Sequence, residues 1–321
     1  MKIAVIGSGI YALALIHGME KNNNSVNLWT HDGNIVKQFV LENIIENNLN
    51  NKTPQNINMV STDIKKVCED VDLIYIVVTS EHFHKIIDLL HENSIYKPIC
   101  IATKGLDSIS NDFLSNTIKK YYDENMIGIL SGPCFATDLL NDELVALSVG
   151  IKNEKMFDLI EKSIASKYIF LEKINGFIAI QLCNSIKNII AIASGMLSGY
   201  GYSNSTNAFL ITKVIEETNK ILYKFFDNEN YILSCAGVGD MILTCTSEKS
   251  RNFKYGFDFV KNLVDKTYLA THTVEGYTTL KNINQLFINH NINSEFINCM
   301  YDIIINNQAK ENIIEFLRKR N

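Results

Sequence analysis

The pentapeptide Lys2-Ile-Ala-Val-Ile6 stops abruptly at Gly7-Ser8-Gly9, and from Ile10 to Lys21 the apolar residues Leu13, Leu15, Ile16 and Met19 recur at helical spacing. A short continuous apolar run ended by a tight turn reads as a buried parallel strand. Gly7-x-Gly9-x-x-Ala12 then matches the strand–turn–helix fingerprint of dinucleotide-binding βαβ units. Glycines there let the backbone approach a pyrophosphate seated on the helix N-terminus, and the third position needs only a small residue for helix–strand packing. A purely structural tight turn is the alternative reading.

The alternation continues over the first ~150 residues. Ser25–Thr30, Val71–Val78, Pro98–Ala102 and Met126–Leu130 read as strands, and residues 34–46, 82–91 and 108–122 as helices. Asn47–Thr62, polar and Asn-rich with Pro54, reads as an exposed loop. Strands alternating with helices imply a parallel sheet covered on both faces. From Gly176 onward long apolar stretches at helical period replace the strand signals. The chain is therefore expected to be α/β, an N-terminal doubly wound sheet of Rossmann type over residues 1–175 followed by an all-α domain over 176–321. A length of 321 residues is long for one core and fits two domains.

A net charge of −5 gives no reason to expect a nucleic acid as partner. Seven cysteines, an odd number without CxxC spacing, point to thiols in a reducing compartment, hence to the cytoplasm. His82-Phe83-His84 lacks further ligands at suggestive spacing, so no metal site is expected. An apparent strand beginning at Lys2 argues against a cleavable leader. Apolar stretches such as Val71–Val78 are too short for an integral membrane segment. Oligomeric state stays open, and a homodimer is one arrangement the chain permits.

Four positions carry chemistry. Arg251 is the one arginine outside the last four residues, in a chain that elsewhere uses lysine for positive charge. A planar guanidinium binds a phosphate or carboxylate through two parallel hydrogen bonds, which an ammonium does not. Ser250 and Asn252 flank it as neutral donors, so the segment suits a small phosphorylated ligand; a structural Arg–carboxylate pair is the other reading. Lys104 follows a strand, where ligands of doubly wound sheets bind, and can polarise a substrate oxygen or merely be solvated. Lys187 is the only charge in the apolar helical run Phe177–Ser198, on one arc with Gln181, Asn184, Asn188 and Ser194. Burial disfavours the charged form of a lysine and suits it to proton transfer near neutral pH, unless a carboxylate simply pairs with it. Asp240, after Gly237-Val-Gly239, is a partner for Lys187 or Lys104, a substrate-hydroxyl acceptor, or a turn residue. At the end of the second strand His31 can face a 2′-phosphate and Asp32 a free ribose hydroxyl. This favours NADP(H), with NAD(H) also open.

Taken in order, these segments resemble bacterial NAD(P)-dependent glycerol-3-phosphate dehydrogenase: Gly7-x-Gly9, Leu28-Trp-x-His-Asp32, Ala102-Thr-Lys-Gly105, Ser131-Gly-Pro133, Ile186-Lys-Asn188, Ala236-Gly-x-Gly-Asp240, Thr244 to Asn252 and Val274-Glu-Gly276. The resemblance implies reduction of dihydroxyacetone phosphate to sn-glycerol 3-phosphate for phospholipid synthesis. It implies Lys187 as proton donor and acceptor, and Lys104, Gly132, Asp240, Ser250, Arg251 and Asn252 around the substrate. Gly7, Gly9, Ile10, Tyr11, His31, Ala136 and Glu275, with Lys104 and Arg251, would line the coenzyme site. Cys134 stands where a threonine is usual, Ala12 where a third glycine is, and Lys213 where an arginine is common. Two rivals are a related dehydrogenase of 3-hydroxy acids, which would bind a carboxylate in place of a phosphate, and a catalytically silent dinucleotide sensor.

Overall fold

The apolar runs form one eight-stranded sheet: β1 (Lys2–Ile6), β2 (Ser25–Trp29), β3 (Ile57–Ser61), β4 (Leu73–Ile76), β5 (Ile99–Ile101), β6 (Ile127–Ser131), β7 (Val145–Ile151) and β8 (Ile169–Asn175). A computed structural model describes residues 1–43, 45, 53–224, 231–247, 250–265 and 267–319. Strand order is β3-β2-β1-β4-β5-β6-β7-β8. From β3 to β6 neighbours are parallel, β7 turns antiparallel to β6, and β8 is parallel to β7. The order 3-2-1-4-5-6 is that of a doubly wound dinucleotide-binding sheet, with its topological switch between β1 and β4. Helices α1 (Ile10–Glu20), α2 (Gly33–Glu42), α3 (Ile64–Val67), α4 (Ser80–Glu92), α5 (Leu114–Ile118), α6 (Ala136–Leu140) and α7 (Glu154–Ile164) connect the strands. Leu13, Ala14, Leu15, Ile16 and Met19 of α1 are buried, which fixes the helix that follows the glycine turn.

Residues 1–104 and 114–177 make one compact unit, and residues 105–113 with 178–321 a second. The second contains α8 (Ile178–Gly199), α9 (Asn204–Leu222), α10 (Asp240–Thr246), α11 (Arg251–Val260), α12 (Tyr268–Thr271), α13 (Glu275–Asn289), α14 (Glu295–Ile304) and α15 (Asn312–Arg318). Helix α8 is apolar on every side because it is the axis of this unit, buried from Ala179 through Leu197. Leu106 and Phe113 join the same core.

Several expectations are corrected. Asn47–Thr62 is not loop throughout: Ile57–Ser61 forms β3, an edge strand on β2, with Ile57 and Val60 buried; residues 47–52 lie outside the described residues. The helix expected over 34–46 ends at Glu42, and residues 44 and 46 are outside the description. The helix expected over 108–122 shrinks to Leu114–Ile118. Asp107 captures the Ile109 amide (3.0 Å) and the Ser110 hydroxyl (2.9 Å), a local side-chain bond that competes with helix formation. Strands β7 and β8 were not anticipated, since their segments lack regular alternation and β8 is an edge. Among the described residues one helix, the 22-residue α8 with an 18-residue stretch of mean hydropathy 1.2, is by length and composition enough to cross a membrane. Burial of 94% of that stretch and the lysine at its centre make it the core helix of the second unit.

Glycines set how closely α11 crosses α8. A Cβ at Gly256 would lie 1.9 Å from the Ile192 carbonyl oxygen, and one at Gly195 1.9 Å from that of Phe253. Both are backbone obstacles, so a methyl group forces the helices apart. Gly256→Ala is therefore expected to lower unfolding stability by about 3 kcal/mol, read as a lower urea midpoint at unchanged slope; an unchanged midpoint would show that the crossing tolerates separation.

Candidate active site

Because β1, β4, β5 and β6 run parallel, the loops after them share one edge of the sheet. There the sequence places Gly7–Gly9, Val77–Thr79, Thr103–Lys104 and Gly132. Gly7 has φ +117°, and a Cβ on it would sit 2.2 Å from the Val77 carbonyl oxygen, so both conformation and space demand glycine. Gly9 caps α1 in extended conformation, and a Cβ there would meet nothing within 4 Å. Packing inside the unit does not require this second glycine. A bare backbone at the N-terminus of an 11-residue helix instead suits the approach of a pyrophosphate, so these residues fit a dinucleotide. Ala12 is fully buried, as the third fingerprint position requires.

At the end of β2 the Ser8 and Thr30 hydroxyls are bonded at 2.8 Å, and Thr30 accepts from the Asp32 amide at 3.1 Å. Asp32 uses a carboxylate oxygen to cap α2 through the Asn34 amide at 2.8 Å, while His31 is exposed beside it. On the other side of the switch, the Thr103 hydroxyl donates to the Ile76 carbonyl at 3.2 Å and Gly105 takes φ +94°. Lys104 between them is half-buried, its Nζ 5.4 Å from the centre of the Tyr11 ring. A Cβ at Gly132 would lie 2.9 Å from the Ala146 carbonyl oxygen on β7. Ile10 and Tyr11 open α1, Ala136 opens α6, and Cys134 is buried just before it.

In the helical unit, Lys187 and Asp240 are each 2% exposed and form an ion pair. The Asp240 carboxylate also accepts from the Thr244 hydroxyl one turn later, at 3.2 Å. Asp240 starts α10 because the preceding widened turn, Cys235–Gly239, admits Gly237 at ψ −110°; a Cβ there would meet the Ile232 carbonyl oxygen at 2.1 Å. Next to Lys187, the Asn188 side-chain oxygen Oδ1 accepts from Asn252 Nδ2 at 3.0 Å, and Asn252 Oδ1 accepts from the Gly276 amide at 2.9 Å. Asn188 Nδ2 reaches Glu275 at 3.5 Å, and Arg251 pairs with the other Glu275 oxygen at 3.4 Å. Ser250 caps α11 through the Phe253 amide at 3.3 Å. Residues 187–188, 240–244, 250–252 and 275–276 thus form one connected polar array inside a greasy unit. Glu248 and Lys249, within the same motif, lie outside the described residues.

Two family models divide the chain: the NAD-dependent glycerol-3-phosphate dehydrogenase N-terminus matches residues 2–157 and its C-terminus residues 177–315. The chain belongs to this family. A Malacoplasma penetrans protein named glycerol-3-phosphate dehydrogenase (NAD(P)+) is 29% identical over 333 residues, covering 99% of this chain and 95% of the relative. One of the same name from Neorickettsia sennetsu is 28% identical over 308 residues, 94% and 89% of the two chains. The crystal structure of glycerol-3-phosphate dehydrogenase from Coxiella burnetii superposes with TM-score 0.89 at 25% identity, covering 99% of each chain.

Within this family frame Lys187 and Arg251 both already hold carboxylates, so the pairings that sequence reading kept as alternatives are present. For Lys187 the pair is deeply buried, where an ion pair is weak support for stability and its retention calls for another reason. Arg251 is different: its side chain is 62% exposed and its contact with Glu275 is single and long. The guanidinium therefore keeps most of its five donors directed elsewhere than Glu275. Sequence reading missed Thr244 as an Asp240 partner, although the i, i+4 spacing on a helix carries that signal. It also missed the Asn188–Asn252 link, which spans 64 residues and leaves no local trace.

Two cysteines flank the ion pair. Burial, helped by the Asp240 carboxylate, pushes the Cys183 thiol up to about 12 and the Cys245 thiol also well above its ordinary value. Raised folded-state values favour the neutral thiol, so this contribution to stability is complete at pH 7 and is lost as pH rises from about 8.5, where an exposed thiol ionises, toward 12. At pH 8 the folded protein is expected to resist iodoacetamide at Cys183 and Cys245 while the urea-unfolded chain reacts at both, as peptide mapping would show. Rapid native labelling at either position would contradict the packing around the pair.

Proposed function

We propose that this chain is an NAD(P)-dependent oxidoreductase that reduces dihydroxyacetone phosphate to sn-glycerol 3-phosphate, a precursor for phospholipid synthesis. Family membership supports the reaction. The observation that carries the residue roles is the polar array, in which a buried ammonium and an exposed guanidinium are tied to one framework through Asn188 and Asn252. Residues 1–175 bind the coenzyme and residues 176–321 carry the substrate chemistry. Gly7, Gly9, Ile10, Tyr11, His31, Ala136 and Glu275 hold the coenzyme, with Lys104 and Arg251 at its reactive end. When bound, the reduced nicotinamide supplies a hydride to the ketone carbon.

The chain's own residues do the rest. Lys187 protonates the oxygen that becomes a hydroxyl, and in the reverse direction accepts that proton. Asp240, fixed by Thr244, holds the Lys187 ammonium in place and orients substrate hydroxyls. Lys104 aligns the carbonyl, Gly132 offers its backbone, and Ser250, Arg251 and Asn252 grip the phosphate. With Asp32 spent on capping α2 and His31 exposed at the end of β2, NADP(H) is the favoured coenzyme. Seven thiols suit a reducing compartment, the cytoplasm.

NADPH and NADH oxidation with dihydroxyacetone phosphate, followed in parallel by absorbance, tests the activity and the coenzyme choice together. Lys187→Ala is expected to lower kcat by about 10²–10⁴-fold with coenzyme affinity nearly intact; wild-type kcat would sink the proton role. Arg251→Ala is expected to cost about 1.5–3 kcal/mol in kcat/KM for the phosphorylated ketone, with no comparable loss for unphosphorylated dihydroxyacetone. Equal efficiency of the wild type on both ketones would instead favour a carboxylate-binding dehydrogenase.

A further inference from the structure

The Gly276 amide can only donate, and it sets the direction of the hydrogen bonds that lead to Arg251. It donates to Asn252 Oδ1 at 2.9 Å, so the Asn252 amide nitrogen faces Asn188 and donates to its Oδ1 at 3.0 Å. That turns Asn188 Nδ2 toward Glu275 Oε2, at 3.5 Å. An ionised carboxylate only accepts, so the chain of donors ends on Glu275. Its other oxygen, Oε1, accepts from an Arg251 terminal nitrogen at 3.4 Å. All five residues belong to the helical unit. The start of the chain is fixed sterically: a Cβ at Gly276 would lie 2.8 Å from the Asn188 backbone oxygen and 3.0 Å from Asn252 Oδ1. Asn188 and Asn252 are buried, whereas Glu275 and Arg251 stand at the surface end.

We propose that Glu275 is a positioning residue for Arg251: the buried donor chain fixes its carboxylate, which aims the guanidinium at the phosphate of the three-carbon substrate. The proposal rests on the reading of the activity given above. A long, exposed side chain has many rotamers, and freezing them when the substrate binds costs entropy. Glu275 restrains the guanidinium beforehand through a single long contact, and an exposed pair of this kind is weak. It therefore selects an orientation without competing strongly with a phosphate, whose greater charge and several acceptor oxygens suit the planar fork better. Glutamine would fail in this place for a geometric reason. One end of its amide is a donor, and that end would have to face either Asn188 Nδ2 or Arg251, both of which donate.

Glu275→Gln in the full-length enzyme tests this, with kcat/KM measured at saturating coenzyme for dihydroxyacetone phosphate and for dihydroxyacetone. Glu275 is also assigned to the coenzyme, and a loss from that contact or from general disruption falls on both ketones alike. The ratio of the two efficiencies, phosphorylated over unphosphorylated, is expected to fall about fivefold. In an Arg251→Ala background the same substitution should leave the ratio unchanged, since the group it aims is gone. An equal loss on both ketones, or the same fall in ratio without Arg251, would overturn the proposal. So would a rise in the ratio, which would mark Glu275 as a competitor of the phosphate. If the wild type shows no preference for the phosphorylated ketone, or no ketone-dependent NAD(P)H oxidation, the assigned activity falls and this role falls with it. A phosphate-preferring wild type whose ratio Glu275→Gln does not move removes the Glu275 role alone.

Discussion

Everything in the helical unit is arranged around one costly interaction, the Lys187–Asp240 ion pair inside its core. Two charges taken out of water lose hydration that their mutual attraction repays only with good geometry and further hydrogen bonds. The surroundings meet both conditions. Thr244 supplies a second bond to the carboxylate, and the Cys235–Gly239 turn sets the direction from which Asp240 arrives. Both members of the pair are only 2% exposed, which keeps water from screening it.

Close backbone approach is the second theme, and glycine is its instrument in both units. Gly7 lets the loop after β1 lie against Val77, and Gly195 and Gly256 let α11 cross α8 without side chains between them. The crossing brings Asn252 within 3.0 Å of Asn188, and through it the Arg251 segment is tied to the helix that carries Lys187. A glycine that is unfavourable in a helix by propensity alone is thus what permits the polar array.

Much of this was legible in the chain, and the exceptions have local causes. The β1–glycine–α1 unit shows because burial on both faces of the strand and period 3.6 in the helix are each visible within a dozen residues. Strand β3 hides because it is short, at the sheet edge and set in an Asn-rich stretch, so its apolar positions Ile57 and Val60 do not form a run. Strand β8 is also an edge, with Phe170 exposed and Glu172 and Lys173 beside its buried Ile169 and Ile174. The segment 108–122 has helical composition over much of its length, yet its first residues are turned back on themselves by a bridge in which the Asp107 amide donates to the Asp112 carbonyl at 2.9 Å.

By itself the sequence determined which residues are exceptional: a glycine pair after an apolar strand, one lysine within a buried helix, one interior arginine in a lysine-rich chain. Those signals are local because each depends on a residue's contrast with its immediate neighbours. Only the tertiary structure decided their partners, pairing Lys187 with Asp240 across 53 residues, Arg251 with Glu275, and Lys104 with the Tyr11 ring. Which charge meets which is fixed by helix crossings and strand order, and those follow from how the whole core packs rather than from any short stretch of chain.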